Sequence, residues 1–175
     1  HQVFYLQERI GHNNNKFKIC KFATMVKNSS KIGLKEITVR NDPRILPFGK
    51  FLRYSKLNEL PQIFNVLIGE MSFVGPRPLM EVSFNRYNEN VKKNIYKSKP
   101  GITGIGSLIF RDEEKFISDV DKNSRSKIIN EISDYKGKIE LWYYDNSSIM
   151  TDLKILLLTI IKLFISKNYS VKNMF

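Results

Sequence analysis

Lys56–Pro78, KLNELPQIFNVLIGEMSFVGPRP, is the stretch from which the rest of the chain is read. Leu60, Ile63, Phe64 and Leu67 fall at i, i+3, i+4 and i+7, the spacing of one apolar helical face. Pro61 suits only a first helical turn, where its missing N–H is not needed. The helix is therefore expected to begin near Asn58 or Glu59. A helix start beside a carboxylate suits a metal–phosphate complex: N–H groups and dipole attract the anion, and the carboxylate binds the metal. Past the Gly69-Glu70 break, Pro76 and Pro78 bracket Arg77 and restrict its backbone, so its guanidinium is aimed at a phosphate or caps a carbonyl.

On the N-terminal side, Val3–Leu6 reads as a strand, Arg9-Ile10-Gly11 as its exit and His12–Asn15 as a polar turn. Phe17, Ile19 and Phe22 alternate with Lys16, Lys18 and Lys21, the period of a half-buried strand; the two strands make a hairpin. Val26–Glu36 reads as a loop. Asn41-Asp42-Pro43-Arg44 is a turn signal. Pro47–Tyr54 is expected to be a short amphipathic helix with Phe48, Phe51 and Leu52 inward. Arg44, Lys50 and Arg53 lie near the next helix start, as ligands or as solvated charges.

On the C-terminal side, Met71–Gly75 is an apolar lead into the proline turn. Leu79–Tyr96 reads as one helix with Val82, Tyr87, Val91 and Ile95 facing in. Gly101, Gly104 and Gly106 let the backbone pass close to a ligand phosphate or to another strand. Arg111 precedes Asp112, Glu113 and Glu114, an acidic helix start or a metal site. Ser124–Tyr144 is a longer helical pattern with Ile128, Ile132 and Ile139 on one side. Met150–Ser166 is too short and too interrupted by lysine to span a bilayer. It suits either an in-plane interfacial helix, with Lys154, Lys162 and Lys167 reaching to headgroups beside Leu153, Leu156, Leu157, Ile160 and Phe164, or a buried core helix.

The 175 residues, 42% hydrophobic, fit one domain with a real core. The formal charge of +12 points to an anionic membrane surface or a polyphosphate ligand. The lysines are spread along the chain rather than gathered into a patch, which argues against nucleic acid. Cys20 has no partner for an internal disulfide and reads as a small buried hydrophobe. His1 and His12 lack partners at zinc-ligand spacing. No signal peptide is legible. The fold expected is α+β over 1–175, mostly helical, with a small N-terminal β-hairpin and amphipathic membrane-interface helices.

Several motifs, in order, resemble the bacterial sugar transferases, the monotopic phosphoglycosyl transferases: FYLQERIGHNNNKFKICKFATM, TVRNDPRILPFGKFLRYSKLNELPQ, NVLIGEMSFVGPRPL, KPGITGIGS and WYYDNSSIMTDLKILLLT. The resemblance covers nearly the whole chain. It implies transfer of a phosphosugar from a UDP-sugar to a polyprenyl phosphate, with release of UMP, at the cytoplasmic face of the bacterial inner membrane. It implies Mg²⁺ or Mn²⁺ as cofactor, a membrane surface as partner, no nucleic acid, and leaves a homo-oligomer open. It also implies a hydrophobic membrane segment ahead of His1, a loop near Val26–Glu36 that closes over the donor nucleotide, and an in-plane role for the last helix. Carried over by position, Glu59 is catalytic and metal-binding and Arg77 binds phosphate; Arg44, Arg53 and Arg111 are further candidate phosphate ligands. The family's nucleophilic Asp is Asn58 here. Asn58 keeps a place in the catalytic and metal-binding pair, but an amide does not form the covalent intermediate in the ordinary way. Asn58 thus reads as the residue of a divergent working site, as an inactivating change, or as a helix N-cap compatible with either.

Overall fold

The computed structural model describes residues 2–29, 42–111 and 124–164. Within them the fold is α+β, mostly helical. The expected positions 30–36 of the first loop, the run Asp112–Glu114, and Ser166 and Lys167 lie outside the described residues.

β1 (Phe4–Ile10) and β2 (Lys16–Phe22) form an antiparallel hairpin in the register Phe4 to Phe22 and Ile10 to Lys16. β1 runs longer than expected and takes in Arg9 and Ile10. The other edge of β2 has no strand beside it within the described residues. Its backbone groups still need partners, and a side chain supplies them. Asn65 accepts from the Cys20 N–H (3.0 Å) and donates to the Lys18 carbonyl (2.9 Å) and to Glu70 (2.8 Å).

That bond decides the orientation of α2 (Gln62–Leu67). The residues turned inward are Gln62 and Asn65, 2% and 3% exposed. The apolar face expected to be buried is in the open: Leu60, Phe64 and Leu67 are exposed, Leu67 by 75%, and only Ile63 is half-buried. α2 also starts later than expected. Leu57–Glu59 is a separate 3-10 turn, entered through Lys56 at φ 60°, a left-handed conformation that costs a non-glycine residue about 1 kcal/mol or more.

α1 (Pro47–Tyr54) is where the prolines place it, but it too is turned over. Phe48 and Phe51 are exposed and stack on each other at 6.0 Å, instead of facing in. Only Gly49 is buried in α1, and a Cβ there would overlap the Thr24 carbonyl. The helix packs by backbone contact, which leaves Phe48, Phe51 and Tyr54 outside, while Leu52 is half-buried.

β3 (Ser72–Val74) pairs in parallel with β4 (Gly101–Thr103). Cβ atoms on Gly101 or Gly104 would collide with the backbone of Gly75. Of the two readings of those glycines, close approach of another strand is the one observed. The expected helix over Leu79–Tyr96 is broken into α3 (Glu81–Phe84), α4 (Glu89–Asn94) and a 3-10 turn over Ile95–Lys97. Asn88 caps α4 by accepting from the Val91 N–H, which starts a new helix there. Val82 is exposed, while Tyr87, Val91 and Ile95 are buried as expected.

Among the described residues the core has two clusters. Ile10, Tyr87, Val91, Ile95 and Tyr96 form one; Val74, Ile105, Leu108, Tyr143 and Ile155 form the other. The second joins the short α5 (Ile105–Ile109) to α6 (Arg125–Asp145) and α7 (Ile149–Phe164). α7 is held by one face. Ile155 is fully buried, Thr159 bonds Thr103 at 2.8 Å, and Asp152 accepts from the Tyr143 hydroxyl at 2.7 Å. Lys162 donates to the Leu108 carbonyl at 2.8 Å, so its ammonium ties α7 to α5 instead of reaching outward. Leu153, Leu157 and Ile160 remain exposed on the other side. Among the described residues, no helix is long and apolar enough to cross a membrane.

Candidate active site

Glu59 ends the 3-10 turn between α1 and α2. Its carboxylate meets Lys21 of β2 at 3.3 Å and Arg77 of the proline turn at 3.4 Å. Glu59 and Lys21 are mostly buried, with side chains 16% and 13% exposed; Arg77 is 44% exposed. Arg9 of β1 lies behind them. It donates to the Pro78 carbonyl (3.3 Å) and to Gln7 (2.6 Å), and its Nε is buried with no hydrogen-bond partner.

The titration of these groups shows how their charges act on one another. Burial pushes the Glu59 carboxyl up, but Arg77, Lys21 and Lys56 together outweigh it and hold the group ionised, well below the usual carboxylate range. Lys21 is pushed the other way, down to about 8, first by burial and then by repulsion from Arg77 and Arg9, in spite of its bond to Glu59. Arg9 falls to about 10, again through burial and the Arg77 charge. Among the described residues, the Glu59 carboxylate thus stands among four cations, Arg9, Lys21, Lys56 and Arg77. A cluster in which a buried lysine is repelled by its neighbours favours an incoming anion, and a diphosphate more than a monoanion.

Asn58 sits beside Glu59, with its Oδ1 buried and without a hydrogen-bond partner. That corrects the N-cap expectation. No side-chain cap bond occurs at the 3-10 turn or at α2, whose N-cap position is Pro61. The unpaired amide oxygen and the ionised carboxylate belong to adjacent residues, and both are oxygen donors of the kind a hard divalent cation takes. Among the described residues there is no group of three or more His, Cys, Asp or Glu that could hold a metal ion. With the surrounding cations, the pair fits a metal arriving with its own phosphate charges better than a bare ion.

The other sequence candidates are placed elsewhere. Arg44 is buried against Asp42, with its Nη2 at 2.6 Å from Oδ2, and donates to the Ser29 carbonyl. Arg53 donates to Thr24 Oγ1 at 3.3 Å, and Arg111 to the Lys162 carbonyl at the end of α7. Each has a protein partner outside the Glu59 cluster. Sequence reasoning missed Lys21 and Arg9. The signal for Lys21 was present: strict alternation puts Lys21 on the same face of β2 as Phe17 and the buried Ile19, not with Lys16 and Lys18. Arg9 gave no such signal, because the first strand was expected to end before it.

The chain resembles known proteins over most of its length. It is 34% identical over 172 residues to the undecaprenyl-phosphate galactose phosphotransferase of Salmonella typhimurium, covering 90% of this chain and 32% of that one. It is 35% identical over 171 residues to the UDP-galactose-lipid carrier transferase of Erwinia amylovora (89% and 32%). It is 35% identical over 169 residues to the UDP-glucose:undecaprenyl-phosphate glucose-1-phosphate transferase of Klebsiella pneumoniae (95% and 33%). The chain thus spans about a third of the length of these relatives. The family model described as Bacterial sugar transferase matches residues 1–166, and the chain belongs to that family.

Proposed function

We propose that this chain carries the catalytic site of a phosphoglycosyl transferase, which moves a phosphosugar from a UDP-sugar to a polyprenyl phosphate at the start of glycan assembly. The observation that carries the reading is the gathering of Lys21 and Arg77 on the ionised Glu59 carboxylate, with Arg9 behind them. Lys21, Arg77 and Arg9 would hold the donor diphosphate, and Asn58 Oδ1 with Glu59 would hold Mg²⁺ or Mn²⁺ once the phosphates are present. The metal supplies charge neutralisation at the diphosphate.

Glu59 is the carboxylate of the cluster and, being ionised, is its candidate nucleophile. A Glu59 oxygen would attack the sugar-proximal phosphorus, and the bond to the bridging oxygen would break as UMP leaves with the electron pair. A polyprenyl phosphate oxygen would then attack the same phosphorus and release the Glu59 carboxylate. Direct attack by the acceptor, with Glu59 only orienting Arg77 and Lys21, reaches the same products in one step.

The exposed Phe48, Phe51, Tyr54, Leu60, Phe64 and Leu67 support a membrane surface as partner, since α1 and α2 flank the turn that bears Glu59. A lipid-linked acceptor would then be presented beside the site. We place the protein at the cytoplasmic face of the inner membrane, where UDP-sugars are made.

The test uses the full-length protein in nanodiscs with undecaprenyl phosphate, Mg²⁺, and UDP-glucose or UDP-galactose. UMP release is expected, and Glu59→Ala should reduce it by orders of magnitude. A quench with donor labelled in the sugar-proximal phosphate separates the two routes: label on Glu59 marks the covalent route, and turnover without trapped label marks direct transfer. The second reading, a non-catalytic membrane-peripheral binder of nucleotide sugar, is favoured by the amide at Asn58. Turnover by Asn58→Asp, together with silence from the natural chain, would decide for it.

A further inference from the structure

We propose that Tyr96 is a positioning residue for Arg77: its buried hydroxyl clamps the backbone of the Pro-Arg-Pro turn and so fixes where the guanidinium is presented. The inference rests on the phosphate-binding reading of Arg77 above.

Tyr96 stands in the 3-10 turn over Ile95–Lys97 that follows α4. It is 1% exposed, lies in the cluster of Ile10, Tyr87, Val91 and Ile95, and stacks on Phe84 at 5.9 Å. Its hydroxyl donates to the Arg77 carbonyl at 2.7 Å and accepts from the Leu79 N–H at 2.9 Å. One oxygen thus bridges the backbone on both sides of Pro78, and one of its bonds is to Arg77 itself. Burial pushes the phenol well above the usual tyrosine range, so it keeps the proton it donates. The rest of the turn is tied to other strands. The Pro76 carbonyl accepts from the Gly101 N–H of β4 at 3.0 Å, the Pro78 carbonyl from Arg9 at 3.3 Å, and the Leu79 carbonyl from the Ile10 N–H at 2.8 Å.

Packing does not account for the hydroxyl. A phenylalanine would fill the same cluster and stack on Phe84, without a polar atom that needs partners. What the oxygen adds is a fixed path for the turn. Pro76 and Pro78 set φ on either side of Arg77, and Pro78 holds Arg77 in an extended conformation. Within that range the direction of the Arg77 carbonyl is still variable, and it is this carbonyl that Tyr96 holds. The Arg77 side chain is 44% exposed, so its aim depends on the backbone it leaves more than on packing around it.

The experiment measures UDP-glucose affinity in the presence of Mg²⁺ for the full-length protein in nanodiscs, at a temperature where every variant is folded. Tyr96→Phe removes the oxygen and keeps the ring. Phe84→Leu loosens the stack on that ring and keeps the oxygen, so it controls for lost stability. Tyr96→Phe should weaken binding roughly tenfold, about the worth of one such bond. Phe84→Leu should lower the melting temperature and still bind as the natural chain does. In an Arg77→Ala background, Tyr96→Phe should cost little more affinity, because the two act as one unit. A Tyr96→Phe protein of natural affinity overturns the positioning role. So does a Phe84→Leu protein that loses as much affinity as Tyr96→Phe, or an equal loss from Tyr96→Phe in both backgrounds. An Arg77→Ala protein that binds UDP-glucose as the natural chain does, or a natural chain that does not bind it, overturns instead the phosphate reading on which the role depends.

Discussion

α2 and the α6–α7 pair carry the same kind of sequence pattern and resolve it in opposite ways. In α7 the apolar spacing does what it predicts: Ile155 is fully buried between Val74 and Tyr143, and only the far face is exposed. In α2 the apolar residues face out, and Gln62 and Asn65 are buried. The difference lies in what each helix packs against. α7 packs on side chains of β3, β4 and α5, which take apolar surface. α2 packs on the open backbone edge of β2, which takes hydrogen bonds. Periodicity marks which residues share a face. It does not say whether the neighbour offers carbon or amides.

Ile155→Ala gives the largest effect expected on the packed side of this contrast. A fully buried isoleucine truncated in a core costs about 2–5 kcal/mol, read as a lowered denaturant midpoint with an unchanged slope. A loss below about 1 kcal/mol would mean that α7 lies more loosely on the core than its buried face implies.

Asn65→Ala tests the other side. It strips partners from the Cys20 N–H, the Lys18 carbonyl and Glu70, and each buried group left unpaired costs about 1–3 kcal/mol. We expect a total of about 2–3 kcal/mol after water reaches the edge. Asn65→Leu, the better choice by apolar pattern alone, should be no more stable than Asn65→Ala. A stabilised Asn65→Leu would break the comparison.

Glu140 gives the α6 side a pH signature. Its folded pKa, about 8, stands above the ordinary carboxyl value of 4.5, so the folded protein holds one more proton here across that interval. The stability this contributes is full below about pH 4.5 and is lost as pH rises through 8. Glu59, ionised throughout, adds nothing to the slope in this window. Relative to Glu140→Gln, the natural chain should therefore lose stability from pH 5 to 8, by on the order of a few kcal/mol. Parallel pH profiles for the two proteins would show that Glu140 does not take up that proton.

The smallest effect on folding is expected for Phe64→Ser and Leu67→Ser, within about 0.5 kcal/mol each, because both side chains are already in the open. Flotation with anionic vesicles should fall markedly for the pair, each apolar side chain being worth about 1.5–3 kcal/mol when buried in lipid. Unchanged flotation would take α2 out of the membrane contact.

The candidate site was half legible. Glu59 and Arg77 lie in one stretch, and the Pro-Arg-Pro spacing marked Arg77 as held. Lys21 was legible in principle from the phase of β2, but the run Lys16, Lys18, Lys21 invites a reading by charge. Arg44 was misleading: an arginine two residues after Asp42 reads as available, and the structure spends it on that aspartate. The broken helix over Leu79–Tyr96 has a cap signal at Asn88 that apolar spacing alone passed over.

The sequence by itself determined the family, through motifs in order, and with it the hairpin, the prolines that start α1 and α2, and the stretch that holds Glu59 and Arg77. It also showed an amide, Asn58, at the position where the resemblance leads one to expect a nucleophilic Asp. Only the tertiary structure decided that Asn58 caps nothing, that Lys21 and Arg77 meet on the Glu59 carboxylate with Arg9 behind them, and that α1 and α2 face outward. Local pattern fixes which residues share a face, because that depends on backbone geometry. Which face is buried, and which charges meet, depends on the unpaired edges and buried backbones brought alongside from distant parts of the chain.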